Sequence, residues 1–238
     1  MIKFLIGLFI LGCGAGTIYW LKEHTSPQLI GKAYFSVKTD KKIVALTFDD
    51  GPSVPVTNDI LDLLKEYQIK ATFFILGKHA QIYPELVQKI YQDGHELGNH
   101  SWSHERLIFK SPTFIRNEIE HTDKVIRSLG YLGPIHFRAP YGNKLLVLPW
   151  ILDGMNRPHI LFDVIAKDWE DYSPHIIAKL VIEQIHEGAI ILLHDADGDG
   201  NADRSKTTQA LKIIIENVKS RGYKFVPISE LLKEDKNN

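Results

Sequence analysis

The sequence predicts an α/β fold in which parallel strands are joined by helical crossovers. Short apolar runs of β character recur along the chain, and between them apolar residues lie three or four positions apart, as on one face of a helix. Strict alternation of strands and helices implies parallel strands, either in a doubly wound sheet or in a barrel. The spacing of apolar residues does not distinguish a doubly wound sheet from a barrel. In both, chemistry collects at the carboxyl ends of the strands.

Composition is consistent with one globular domain and a short appendage. The chain has 238 residues, of which 44% are hydrophobic and 24% charged. The formal net charge is -1, so no global feature indicates nucleic-acid binding. Cys13 is the single cysteine, which excludes an intramolecular disulfide.

Residues 4–21 form an uncharged apolar segment between Lys3 and Lys22, just long enough to span a bilayer. The basic N-terminus favours an orientation that places the rest of the chain outside the cytoplasm. We favour a signal anchor. A cleaved signal peptide and a lipoprotein signal ending at Cys13 remain alternatives. The expected location is the extracytoplasmic face of the cell envelope, membrane-anchored through residues 4–21, or secreted or lipid-modified if the segment is processed.

The remaining elements follow in order. Residues 22–41 are predicted to form a linker, and residues 42–238 are predicted to form the folded domain. Serine followed by proline at Ser111-Pro112 and Ser173-Pro174 predicts two helix starts. The predicted strands are Ile43–Phe48, Ala71–Leu76, His95–Gly98, Ile135–Arg138, Ile160–Ile165, Ala189–Leu193 and Tyr223–Pro227.

Two polar groups directly after predicted strands carry the functional prediction. Asp49 and Asp50 end the first strand, where adjacent side chains point opposite ways, so one carboxylate can bind a metal while the other serves as a base. His100 and His104 are four residues apart and can chelate one ion. One carboxylate and two imidazoles leave a coordination position open, as a hydrolytic site requires. Zn²⁺ suits these ligands best, with Co²⁺, Mn²⁺ or Fe²⁺ as alternatives.

Five motifs follow one another along the chain: Asp49-Asp50, His100 with His104, Arg138-Ala139-Pro140-Tyr141-Gly142, Asp168-Trp169 and Leu192-Leu193-His194-Asp195. In this order they resemble the motifs of the polysaccharide deacetylases, carbohydrate esterase family 4, over about residues 42–232. The resemblance implies that residues 42–238 are a deacetylase catalytic domain. It also implies a distorted, incomplete (β/α) barrel of about seven parallel strands.

The resemblance also implies roles for individual residues. Asp50, His100 and His104 would hold the metal ion, and Asp49 would be the general base. Arg138 would pair with Asp49. His194 would be the general acid, oriented by Asp168. Substrate contacts would come from Tyr141, Trp169 and Leu192.

The acidic segment 195–203 matches part of an EF-hand calcium loop. Acidic residues occupy positions 1, 3, 5 and 9 with glycine at position 6, but position 12 is Lys206 instead of a bidentate glutamate. No helix is predicted before the segment. These departures argue against Ca²⁺ binding.

The predicted function is removal of N-acetyl groups from N-acetylglucosamine residues of an extracytoplasmic polysaccharide, either peptidoglycan or a chitin-like polymer, with release of acetate. Two alternatives remain: another amide hydrolase on the same scaffold, or a non-catalytic carbohydrate-binding relative. The sequences of the loops that would contact the glycan do not indicate which glycan is the substrate.

Overall fold

The computed structural model describes residues 31–142, 147–200 and 202–237. The predicted anchor, residues 4–21, and the first part of the predicted linker lie outside these ranges. Among the described helices, none has both the length and the hydrophobicity needed to cross a membrane.

Eight short strands and eight helices are found in the described ranges. The strands are β1 Ala33–Tyr34, β2 Ile43–Asp49, β3 Thr72–Ile75, β4 Glu96–Asn99, β5 His159–Ile160, β6 Val164–Ile165, β7 Ile190–His194 and β8 Lys224–Val226. The helices are α1 Val56–Glu66, α2 Gly77–Ile82, α3 Pro84–Gln92, α4 Pro112–Ser128, α5 Val147–Gly154, α6 Pro174–Gln184, α7 Ser205–Ser220 and α8 Ile228–Leu232.

The main sheet has six parallel strands around β2. Its order is β4-β3-β2-β7-β6, and β8 pairs with the first residues of β2. β1 and β5 form a separate parallel pair. Single bridges from Asn99 to Phe137 and from Phe137 to His159 continue the curvature from β4 towards β5. The arrangement is the distorted, incomplete (β/α) barrel that was expected.

Both predicted serine caps are present. The Ser111 hydroxyl accepts a hydrogen bond from the amide of Phe114, and the Ser173 hydroxyl accepts one from the amide of Ile176. Proline occupies the first turn of both helices, where its missing N–H breaks no helical bond.

Three segments differ from the sequence-based prediction. Residues 135–138 form single bridges instead of a strand, since Pro134 and Pro140 bound the segment closely and its amides pair over too few residues. Residues 160–165 contribute to two separate strands, β5 and β6. Part of the predicted linker belongs to the fold, because β1 pairs with β5 and Val37 is buried with its amide bonded to Gly188.

Strand periodicity decides which residues face the barrel interior. In β2, Val44, Leu46 and Phe48 pack in the cluster beneath the surrounding helices, whereas Ile43 and Ala45 belong to an interior cluster. The same alternation in β7 sends Ile190 inward. Because side chains alternate with a period of two, the inner faces continue through Thr47 and Asp49 in β2 and through Leu192 and His194 in β7.

Candidate active site

Asp49 and His194 stand at the same level of two adjacent parallel strands. They are register partners in the pairing of β2 with β7, at the carboxyl ends of both strands. Asp49 is buried, while the side chain of His194 is 14% exposed at the base of a cleft. The sheet itself therefore places a carboxylate and an imidazole side by side at its chemically active edge.

Arg138 holds Asp49 from inside the barrel. Its Nη1 donates hydrogen bonds to Asp49 Oδ1 at 2.6 Å and to Thr47 Oγ1 at 2.7 Å. Its other nitrogens donate to the carbonyls of Ile160 and Leu161. The guanidinium also lies 4.0 Å from the centre of the Phe74 ring. Arg138 is fully buried, and this set of acceptors compensates its charge.

Asp50 turns away from Asp49 because its backbone adopts a positive φ of 78°. Its Oδ1 lies 3.3 Å from His100 Nε2 and 3.1 Å from His104 Nε2. This oxygen is buried and has no hydrogen-bond partner among the described residues. One ligand atom from each of the three residues lies within 4.8 Å of the others, an arrangement that fits a single metal ion.

The protonation pattern of the histidines also fits a cation. His100 Nδ1 lies 2.9 Å from the carbonyl of Arg138, so it carries a proton and leaves Nε2, which faces Asp50, as the nitrogen available to a metal ion. Burial opposes the charged form of Asp50, but the two nearby imidazoles outweigh it and hold the pKa of this carboxyl well below its usual range. An ionised carboxylate beside two imidazoles is a suitable set of ligands for Zn²⁺ or a similar ion.

Asp168 orients His194 through two hydrogen bonds and is itself held by Thr207. Its Oδ1 lies 2.7 Å from His194 Nδ1, and its Oδ2 accepts the His194 amide at 2.8 Å and the Thr207 hydroxyl at 2.9 Å. Burial opposes the imidazolium, but the charge of Asp168 and its hydrogen bond outweigh burial and raise the pKa of His194 to about 9. His194 is therefore protonated at neutral pH, with its Nε2 directed away from Asp168.

An open cleft of about 1010 Å³ gives access to these groups. It is lined by Asp49, Asp50, His100, His104 and His194, whereas Arg138 and Asp168 lie behind their partners. The predicted substrate residues Tyr141, Trp169 and Leu192 also line the cleft. Tyr141 is 55% exposed, Trp169 is 46% exposed and stands edge-on to His194, and Leu192 is buried beneath them.

Sequence reasoning missed two contributors. Thr47 accepts a bond from Arg138 and donates one to the carbonyl of Ile191. A polar residue two positions before Asp49, on the same face of an otherwise apolar strand, was a signal that could have identified it. Arg106 stacks on the Tyr141 ring at 3.9 Å and also lines the cleft. No spacing in the sequence indicated this contact.

Asp195, the first residue of the calcium-like segment, points inward. It is fully buried, and its Oδ2 accepts a hydrogen bond from Thr57 at 2.6 Å. Burial raises the pKa of Asp195 to about 7. Its carboxyl packs so closely on Gly51 that a Cβ there would lie 2.1 Å from Oδ2. Asp195 therefore braces the turn after Asp50.

Comparison with known proteins places this geometry in a family. Residues 36–150 match the family model described as polysaccharide deacetylase. The chain is 40% identical over 199 residues to the peptidoglycan-N-acetylglucosamine deacetylase PgdA of Listeria monocytogenes. It is 36% identical over 196 residues to the peptidoglycan-N-acetylmuramic acid deacetylase PdaC of Bacillus subtilis. These alignments cover 83% and 82% of the chain but only 40% of each relative.

A solved structure matches over nearly its whole length. The Bc1960 peptidoglycan N-acetylglucosamine deacetylase, in complex with 4-naphthalen-1-yl-N-oxidanyl-benzamide, superimposes with a TM-score of 0.80 at 32% sequence identity. The match covers 91% of this chain and 98% of that one. The fold, the ordered motifs and these similarities together show that the chain belongs to the polysaccharide deacetylase family.

Proposed function

We propose that this chain is a metal-dependent deacetylase that removes the N-acetyl group from N-acetylglucosamine residues of peptidoglycan and releases acetate. The observation that carries the proposal is the placement of Asp49 and His194 on adjacent strands beside the Asp50, His100 and His104 cluster. A base and an acid on either side of one electrophilic centre are what amide hydrolysis needs.

Asp50, His100 and His104 would hold one divalent cation, for which we propose Zn²⁺. When bound, the ion supplies Lewis acidity, polarising the acetamide carbonyl and the attacking water. Co²⁺, Mn²⁺ and Fe²⁺ are compatible with the same ligands.

Asp49 would take the proton of the attacking water. Its Oδ1 is occupied by Arg138, which leaves Oδ2, 3.8 Å from His100 Nε2, directed towards the ligand cluster. Arg138 fixes the rotamer of the base through this hydrogen bond. Asp49 is the one proton acceptor that we propose for the attack of water.

His194 would donate its proton to the departing amine nitrogen. Asp168 occupies Nδ1, so the proton available to the substrate is the one on Nε2. The backbone amide of Tyr141, in a turn with a φ of 59°, would donate a hydrogen bond to the developing oxyanion. Trp169, Leu192 and the Tyr141 ring would form the walls for the acetyl methyl and the sugar.

The choice of peptidoglycan rests on the relatives, of which one acts on N-acetylglucosamine and another on N-acetylmuramic acid. A chitin-like polymer carries the same acetamide and is the alternative substrate. Because peptidoglycan lies outside the cytoplasmic membrane, we propose that the apolar segment 4–21 directs the domain there and anchors it. The complete set of ligands, base and acid argues against a purely carbohydrate-binding role.

Acetate release tests the proposed reaction. The metal-loaded protein is expected to release acetate from peptidoglycan, to lose this activity on chelation and to regain it with Zn²⁺ or Co²⁺. Chitin oligomers, assayed in parallel with an enzymatic acetate readout, determine which glycan is preferred. Absence of acetate from every glycan with metal-loaded protein would refute the proposal.

The pH profile tests the assignment of His194 as the acid. Since the pKa of His194 is raised to about 9 and the donor must be protonated, activity should fall as the pH rises through that region; a bound cation would lower this limb. Asp168→Asn removes the main charge that raises this pKa, so the alkaline limb should move towards pH ~6.5. Asp171→Asn, on an exposed side chain nearby, serves as the control. An alkaline limb unmoved by Asp168→Asn would contradict the assignment.

Arg106 gives a test of the glycan. Its guanidinium stacks on Tyr141 within the cleft, and no carboxylate among the described residues forms an ion pair with it. Asp197, Asp199 and Arg204 also line the cleft. Arg204 already donates hydrogen bonds to the carbonyls of Ala196 and Asp168, so Arg106 is the cation that we test for contact with a substrate anion. Muramic acid carries a free lactyl carboxylate on glycan strands from which the stem peptides have been removed, whereas chitin has no carboxylate.

Arg106→Gln should therefore lower kcat/KM on muramic-acid-containing fragments without stem peptides by about two- to fivefold, the range of an exposed ion pair, and leave chitin oligomers unaffected. Arg116→Gln, on an exposed side chain of α4, is the matched control. An equal loss on both substrates would show that Arg106 contacts the shared sugar instead of the carboxylate.

A further inference from the structure

The segment between β4 and α4 carries both chelating histidines without being part of a helix or a strand. β4 ends at Asn99 and α4 begins at Pro112, and His100 and His104 lie in the irregular stretch between them. Three non-glycine residues there have positive φ: Ser101 at 74°, His104 at 63° and Phe109 at 62°. Such conformations cost roughly 1–3 kcal/mol each and persist only where surrounding contacts hold them.

Glu118 of α4 supplies such contacts. It is only 7% exposed, and its Oε2 accepts three hydrogen bonds from the histidine segment. The donors are the Trp102 amide at 3.0 Å, the Ser103 amide at 2.8 Å and the Ser103 hydroxyl at 3.0 Å. No cationic side chain of the described residues forms an ion pair with it, so the loop amides are the main compensation for its charge.

Neighbouring contacts dock the same segment on α4. Asn99 Oδ1 accepts the Ser101 amide at 2.8 Å, while Asn99 Nδ2 donates to the Ile119 carbonyl at 2.8 Å. The Trp102 ring stacks on His121 at 3.7 Å and 5°. The residues between the two histidines are therefore fixed from one side by a helix that contributes no metal ligand.

We propose that Glu118 is a positioning residue that sets the separation of His100 and His104 before a metal ion binds. It acts on the backbone between the ligands and does not itself reach the cluster. A ligand pair held in its chelating geometry loses little conformational entropy on binding, so the site gains affinity without an added ligand. The inference rests on the metal site proposed above.

Metal titration of the metal-free protein tests this role. Glu118→Ala should weaken Co²⁺ and Zn²⁺ binding by about 10–100-fold, the usual effect of removing an outer partner of a metal site. It should also alter the visible absorption spectrum of bound Co²⁺ and speed amide exchange at Trp102 and Ser103. Glu118→Gln keeps an acceptor oxygen and should recover most of the affinity. Glu120→Ala, at an exposed position of the same helix, should leave affinity and spectrum unchanged.

Glu118→Asp is a second variant that tests the same role if Glu118→Ala does not fold. The shorter side chain withdraws the carboxylate from the loop amides while keeping its charge on the helix. It should remain folded and show weakened metal binding. Folded Glu118→Ala or Glu118→Asp with wild-type Co²⁺ affinity and spectrum would overturn the proposal. If wild-type protein itself bound no metal, the proposed metal site would fail first.

Discussion

Arg138 joins the two halves of the site through its side chain and its backbone at once. The guanidinium donates to Asp49 at 2.6 Å, and the carbonyl of the same residue lies 2.9 Å from His100 Nδ1. One residue therefore orients both the proposed base, Asp49, and a proposed metal ligand, His100. Arg138 is fully buried, so removing either Arg138 or Asp49 would leave an uncompensated charge in the interior and destabilise the fold. The single β-bridges around Phe137, where a regular strand was expected, are the local backbone that delivers Arg138 to this position.

Two adjacent aspartates acquire different chemistry because the strand ends between them. Asp49 is the last residue of β2 and follows its inward alternation to Arg138. Asp50 has left the strand with a φ of 78°, which turns its carboxylate towards His100 and His104. The buried Asp195 carboxyl packs on Gly51 and helps to hold this turn. The different positions of these two carboxylates are thus a property of backbone geometry and do not depend on differences between the two side chains.

Much of the architecture could be predicted from sequence because its signals are local. The spacing of apolar residues predicted β2, β3 and β7, and the serine-proline pairs predicted the starts of α4 and α6. The ordered motifs indicated most of the site residues. The predictions that were wrong or missing concern residues whose structure depends on contacts distant in sequence. Residues 135–138 look like a strand, yet they have partners for only single bridges. Val37 lies in a segment that resembles a linker but is buried against Gly188. Glu118 and Arg106 act through contacts that no sequence spacing reveals.

The most direct test of this account is the metal content of two isosteric variants, Asp49→Asn and Asp50→Asn, measured by equilibrium dialysis against Zn²⁺ with elemental analysis and with circular dichroism to verify folding. Asp49→Asn should retain one equivalent of metal while losing acetate release, since we propose Asp49 as the base. Asp50→Asn should lose tight metal binding. Loss of metal from folded Asp49→Asn, or its retention at wild-type affinity by Asp50→Asn, would contradict the division of roles between the two carboxylates.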